Sequence, residues 1–559
     1  MSAGRLSFTN PSMLLQLTLL LAALVPIPNQ NANWDALRDA KDLKPRLDAV
    51  RAIVQEAAAE NQCGKIVGEL LDFATKATTP PELRVAISNE LAACKDARTP
   101  REIGARLGKG QVFEQRFLLD CAQHFADEAL DKEIRDKVLK GDDASLREYA
   151  LRTLVAHKYS AALPVMEAIV KDGKDTEVLA AAVWGVSRLR RDTPEWGAWE
   201  ERLVALVTSK QESLRLAALA ELAQGQDAAH EPIFRTALAA PEWPARSIAL
   251  EWMVRQKSKA AVSALIEQFQ KEQPGGRMHN DFAKQLAKLT GMPLGTDSVR
   301  WAEWWKNSAE SFEFPKNAGG ARSKDAAKAA PPGGTSVGPR FYGVEINSLR
   351  VVFVIDVSGS MIETVAELPK EYRHESGAKP TRIDVAKFEL SRIVQALAPG
   401  SAFNIISFST GVDGWMDGLQ EVLGGGKSGG KPGGGPKSGR EKEKSEKEIE
   451  KEKAKAAQLD AELRKKAQGY IDGLGANGGT NLYDALALAF EDQLVDTIIV
   501  LSDGQPSAGT VIDPVLIRED VKRWNTVRKI KIHTVSIGTD FDVLKWISSD
   551  SGGEHSFYR

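Results

Sequence analysis

The chain has 559 residues, 27% of them charged and 43% hydrophobic, an ordinary globular balance spread over too much length for a single core. Its formal net charge of -2 counts against a nucleic-acid partner, because phosphate binding needs clustered basic charge. Seven histidines leave little material for a histidine-rich metal site.

Residues 1–32 read as a signal peptide. Arg5 precedes an apolar run from Met13 to Val25, of signal-core length and too short to cross a bilayer, and Pro26 and Pro28 end any helix after it. Ala32 marks one candidate cleavage site. An exported protein is therefore expected, periplasmic, envelope-bound or extracellular, with an uncleaved anchor or initiation at Met13 as the alternatives. No later segment is apolar enough to span a membrane. Cys63, Cys94 and Cys121 match no zinc spacing, and both one disulfide with a free thiol and three buried thiols remain open.

Residues 33–310 carry helical periodicity with internal similarity. Leu146, Ala150, Leu151 and Leu154 align with Val178, Ala182, Val183 and Val186, then with Leu214, Ala218, Leu219 and Leu222, and with Ala245, Ala249, Leu250 and Met253. Their first members are 32, 36 and 31 residues apart. Each set is one apolar stripe whose small second residue admits a neighbouring helix. Second helices, such as Ala161 to Val170 and Trp199 to Val207, lie between them. Such pairs bury their stripes only when stacked. The pattern resembles HEAT-type α-solenoid repeats, and a non-repeating helical domain is the alternative. Trp301, Trp304 and Trp305 lie at i, i+3, i+4 and predict a helix capping the last repeat. Residues 311–340, rich in Gly, Ala, Pro and Lys, read as a flexible linker.

From residue 341 the pattern changes. Leu349 to Ile355 is a buried parallel strand running into Asp356, Ser358 and Ser360 as D-x-S-x-S. Gly478, Gly479, Thr480 and Asn481 precede a helix, Leu482 to Phe490. Thr497 to Leu501 is a second buried strand, ending in Ser502, Asp503 and Gly504. A helix over Thr381 to Leu397, a strand over Ala402 to Ser407 with a return hairpin to Trp415, a late strand over Ile530 to Ile537, a helix over Phe541 to Ser549 and a terminal strand over His555 to Tyr558 complete a doubly wound, mostly parallel α/β sheet. Ligand sites in such sheets lie beyond the carboxyl ends of the strands. Asp356, Ser358, Ser360, Thr480 and Asp503 would gather there as hard oxygen donors, suited to Mg²⁺, with Mn²⁺ or Ca²⁺ as alternatives.

These five residues resemble the metal-ion-dependent adhesion site of the von Willebrand factor A fold, over roughly Phe341 to Arg559. The resemblance implies that Ser358, Ser360 and Thr480 hold the ion directly, that Asp356 and Asp503 act largely through water with Asp356 orienting the serines, and that a partner's Glu or Asp carboxylate fills the open position. The whole chain resembles bacterial secreted proteins that join HEAT-like repeats to an A domain. It implies metal-dependent, non-catalytic protein binding, with the solenoid as a second surface.

Two stretches depart from the family. Residues Glu363 to Pro380, holding Glu363, Glu367, Glu371, His374 and Glu375, should rim the site, either shaping partner choice, with one carboxylate able to block the open position, or as solvated filler. Residues 424–466 are an insertion, Gly and Lys rich first and Lys and Glu rich later, the second part extending the next helix. Gly426, Lys427 and Ser428 resemble part of a phosphate loop, but Glu421 replaces its leading glycine and no buried strand precedes it, so nucleotide binding there is rejected. His533 is expected to be structural. A Ser358 nucleophile lacks its G-x-S-x-G elbow. The better enzyme alternative is a Mg²⁺-dependent phosphate-ester reaction, for which no lysine or arginine adjoins the motifs in sequence. A scaffold whose metal is only structural is the third reading.

Overall fold

The computed structural model describes residues 30–315, 338–365, 372, 379–421 and 446–559. Nearly all of the expected signal peptide, most of the expected linker, most of the Glu363 to Pro380 stretch and the Gly/Lys-rich part of the insertion lie outside the described residues.

The N-terminal region is mostly helical, from Gln30–Asp39 to Ser298–Ser308. The helices Ala144–Ala156, Thr176–Arg190, Glu212–Leu222, Trp243–Gln256 and Arg277–Thr290 form one row, each packed on the next. A second layer of Leu163–Asp172, Trp196–Leu206, Glu231–Ala237 and Lys259–Phe269 lies against it. Every residue of the four aligned stripes is buried except Leu146, which is half-buried. The small residues Ala150, Ala182, Ala218 and Ala249 are wholly buried, and side chains of that size let a neighbouring helix pack closely. Proline sits in the first turn of three of these helices, where its missing N–H costs no hydrogen bond. Trp301 and Trp305 are buried, Trp305 donating through Nε1 to Ser263 Oγ on Lys259–Phe269 at 2.8 Å. The cysteine question resolves as one disulfide, Cys63–Cys94, and a buried free thiol at Cys121.

The C-terminal domain opens with a short antiparallel ribbon, β1 (Arg340–Phe341) and β2 (Val344–Glu345). Its main sheet contains β3 (Arg350–Asp356), β4 (Ala402–Phe408), β5 (Val412–Gly414), β6 (Gln420–Glu421), β7 (Thr497–Ser502), β8 (Lys531–Ile537) and β9 (His555–Tyr558), in the order β5-β4-β3-β7-β8-β9 with β6 also on β4. Strands β4, β3, β7, β8 and β9 are parallel, while β5 and β6 run antiparallel to β4. Alternation along β3 divides the core. Val351, Phe353 and Ile355 face the helices Arg382–Ala396 and Glu446–Gly473, whereas Val352 and Val354 face Leu482–Glu491, Pro514–Arg528 and Asp542–Ser551. Strand β3 lies between β4 and β7, so the chain winds to one side of it and later returns on the other. That is the switch point at which α/β sheets open a crevice.

The two regions touch through buried charge. Asp520, on helix Pro514–Arg528 and fully buried, accepts from Arg116 Nη2 at 2.7 Å, from Tyr483 Oη at 2.9 Å and from Arg523 Nη2 at 3.1 Å, and it also pairs with Arg152. Arg116 and Arg152 belong to the helical region, and Arg523 pairs back across to Glu148. Lys531 pairs with Asp281, Lys529 with Glu251 at 3.0 Å, and Arg277 Nη1 donates to the Asp496 carbonyl at 2.7 Å.

Removing one member of a buried ionic cluster leaves its partners charged and unsolvated, a loss of about 3–5 kcal/mol. Asp520→Ala is therefore expected to lower stability by about that amount in urea unfolding and to split the melt into separate transitions for the two regions. A single unshifted transition would show that the cluster does not join them.

Candidate functional site

Parallel pairing of β3 with β7, with Ile355 opposite Leu501, brings Asp356 and Asp503 to the same end of the sheet. The intervening residues Gly478 to Asn481 close over them. Gly359 N–H donates to the Gly478 carbonyl at 2.9 Å, joining this turn to the D-x-S-x-S loop. Gly478 has φ +72°, and a Cβ there would lie 2.6 Å from Thr410 Oγ1, so only glycine fits. Thr410 Oγ1 accepts from Gly479 N–H at 2.8 Å, and Asn481 Oδ1 caps the next helix by accepting from Asp484 N–H at 3.2 Å.

All five sequence-derived site residues meet at this crevice. Asp356, Ser358, Thr480 and Asp503 are buried, and Ser360 is half-buried. The hydroxyls of Ser358 and Ser360 lie 3.2 Å apart. Asp503 Oδ1 accepts from Ser360 Oγ at 2.6 Å and from Ser358 Oγ at 3.4 Å. Thr480 Oγ1 faces the same space: a Cβ built on Gly504 would stand 3.0 Å from it and 3.7 Å from Ser360 Oγ.

Asp356 is aimed by two hydrogen bonds. Its Oδ1 accepts from Ser358 N–H at 2.8 Å, and its Oδ2 from Ser502 Oγ at 2.5 Å. Burial pushes the Asp356 carboxyl up to about 6, against the pull of those bonds, and the neighbouring Asp503 charge adds to the rise. Among the described residues no group of three or more His, Cys, Asp or Glu side chains is placed to hold a metal ion. The crevice instead offers two carboxylates and three hydroxyls.

Sequence reasoning missed three residues here. Ser502 was read only as the end of a strand, although it occupies one Asp356 oxygen. Thr410 gave no signal. Arg382 corrects the expectation of a site without an adjoining cation. It stands 22 residues from Ser360 in the chain, yet Nη1 lies 2.7 Å from Asp503 Oδ2 and 3.4 Å from the Ser360 carbonyl, and Nη2 lies 2.6 Å from Glu363 Oε2. Gly538, with φ +75°, makes room for it at the end of β8, since a Cβ there would collide with the guanidinium. A capping box at Thr381 and Asp384 fixes the helix start that carries Arg382. His533 is buried away from the crevice; its Nδ1 accepts from Glu554 N–H at 3.1 Å, and burial pushes its ring down to about 3.

Residues 449–557 match the family model of the von Willebrand factor type A domain, and with the sheet just described the C-terminal region is a domain of that class. The matched residues include Thr480 and Asp503. Among curated proteins the chain is similar to inter alpha-trypsin inhibitor, heavy chain 4, of Mus musculus, 26% identical over 222 residues, 37% of this chain and 17% of that one. It is similar also to the Homo sapiens inter-alpha-trypsin inhibitor heavy chain H4, 29% identical over 36% of this chain and 17% of that protein, and to Homo sapiens von Willebrand factor A domain-containing protein 3B, 29% identical over 18% of this chain and 8% of that protein. The chain thus spans less than a fifth of the length of the relatives it matches. Among solved structures, the PilB minor pilin from Streptococcus sanguinis aligns at a TM-score of 0.23 and 15% identity, covering 37% of this chain and 56% of that one. The complex of CpcE and CpcF of phycocyanin lyase from Nostoc sp. PCC7120 aligns at the same score and identity over 47% and 94%. Scores of this size carry no argument.

Ser502→Ala leaves a buried oxygen of Asp356 without a donor, which costs about 1–3 kcal/mol. Urea unfolding of that variant should show a loss in this range. An unchanged midpoint would mean that the Ser502 bond contributes nothing to the crevice.

Proposed function

We propose that the C-terminal domain binds a divalent cation, Mg²⁺ first with Mn²⁺ or Ca²⁺ as alternatives, through Ser358, Ser360, Thr480, Asp356 and Asp503, and thereby captures a Glu or Asp carboxylate of a protein partner without catalysis. One observation carries this reading: the Ser358 and Ser360 hydroxyls and Asp503 Oδ1 face one another at 2.6–3.4 Å. In an octahedral shell with Mg–O bonds of about 2.1 Å, neighbouring donors stand about 3.0 Å apart. The donor set is all oxygen, as hard cations require. Asp356 and Asp503, held close at one sheet end, repel each other, and Arg382 offsets only one of the two charges. The ion would supply the remaining positive charge and an open position for an incoming carboxylate. The protein's own residues set the geometry: Ser502 and Ser358 N–H hold Asp356, and Arg382 holds Asp503 so that Oδ1 turns to the serines.

The phosphate-ester alternative is less well supported, because Arg382 is committed through Nη1 to the buried Asp503 and turns only its outer arm, paired with Glu363, away from it. The helical region, as a solenoid of HEAT-like pairs, would give a second protein-binding surface, with residues 311–340 as a linker. Export of the protein is supported by the Cys63–Cys94 disulfide, since such bonds persist in oxidising compartments. No helix among the described residues is long and apolar enough to cross a membrane.

Calorimetric titration of Mg²⁺ into the full chain should give one site, weakened at least about tenfold in Asp356→Asn, on the scale of disrupted ligand shells. Affinity capture from a native cell envelope should retain a protein in Mg²⁺ and release it in EDTA. A partner held equally in both would remove the proposed function.

A further inference from the structure

Resting on the cation-binding reading above, we propose that Arg382 is a second anchor for the guest carboxylate, and that Glu363 stands in for that guest until it arrives. The guanidinium lies between two carboxylates. Its inner contact is the buried Asp503, and its outer contact is Glu363, whose side chain is 61% exposed while that of Arg382 is 11% exposed. One side of Arg382 thus faces the crevice, and on the other, among the described residues, it pairs with the exposed acid Glu363.

The arrangement is built into the fold. Gly538 is kept free of a side chain where the guanidinium lies. Arg382 N–H donates to the Glu363 carbonyl at 2.8 Å, Glu363 N–H to the Ser360 carbonyl at 3.0 Å, and Thr364 bridges Thr381. Glu363 therefore has little freedom to leave by backbone movement, whereas its carboxylate needs only a rotamer change. Arg382 Nε is buried and has no hydrogen-bond partner among the described residues, a donor beside the crevice.

A guest acid that replaces Glu363 exchanges one carboxylate for another, so the guanidinium stays paired and no buried charge is stranded. The guest then meets a cation and an arginine together, a combination that favours a side-chain carboxylate over a neutral carbonyl ligand. Exposed Ile362, next in the chain to Glu363 and 67% exposed, supplies an apolar rim. The partner that fits is an acidic residue with an apolar neighbour.

The test uses the full chain with Mn²⁺ and acetate. Bound Mn²⁺ enhances water-proton relaxation, and a carboxylate entering its shell displaces water and lowers the enhancement. In Glu363→Gln, the acetate midpoint should fall about two- to fivefold, the worth of an exposed ion pair, with no gain in Mn²⁺ affinity. In Arg382→Ala it should rise about tenfold, the worth of a charged hydrogen bond, with Arg382→Lys between that variant and the parent. Equal acetate midpoints in parent and Glu363→Gln, with Mn²⁺ bound in both, would overturn this inference and leave the cation site standing. Absence of Mn²⁺ binding in the parent would overturn both.

Discussion

Two like charges at neighbouring strand ends organise the site. The parallel register of β3 and β7 fixes Asp356 and Asp503 near each other in a buried place, where lost hydration and the neighbouring Asp503 charge both oppose ionisation of Asp356. Much of the local structure answers that problem. Ser502 and the Ser358 N–H solvate Asp356; Ser360, Ser358 and Arg382 solvate Asp503. Left-handed glycines at positions 478 and 538 let a backbone loop and a guanidinium come near enough to do so.

The protein thus carries two partial remedies for one electrostatic difficulty. Hydrogen bonds spread the charge, and a single fixed guanidinium cancels half of it. What is left is a shortage of positive charge among oxygen atoms, and the proposed affinity for a small hard cation rests on it. Glu363, three residues after Ser360, already engages the arginine at the edge of the same crevice.

The strands were legible because their interiors are uninterrupted apolar runs, and the stripes of the helical region because i, i+4, i+5, i+8 spacing survives repetition. The convergence of Asp356, Ser358, Ser360, Thr480 and Asp503 was legible because turn residues and strand ends sit in fixed order. Arg382 was not, since its proximity comes from where a capped helix starts after a long excursion, and no local pattern encodes that. Ser502 was hidden by its neighbour: a small polar residue ending a buried strand looks like a boundary. Helix Pro514–Arg528 and its interface went unread, although a signal was present. Asp520 falls with Ile517, Val521 and Trp524 on one helical face, a charge in the middle of an apolar stripe. Such a residue needs a buried cationic partner, and the partners lie hundreds of positions away in Arg116 and Arg152.

That cluster changes what the segment between the regions has to do. A chain joining two free bodies governs how far apart they roam and how often they meet. Once Asp520 has engaged both arginines the bodies are already registered, and the covalent connection no longer sets their separation. Helical surface and crevice are then presented at a constant spacing and angle. Under the proposed function, a partner long enough to touch both would meet a template and not a pair of tethered sites, and its second contact would form without the configurational penalty of a search.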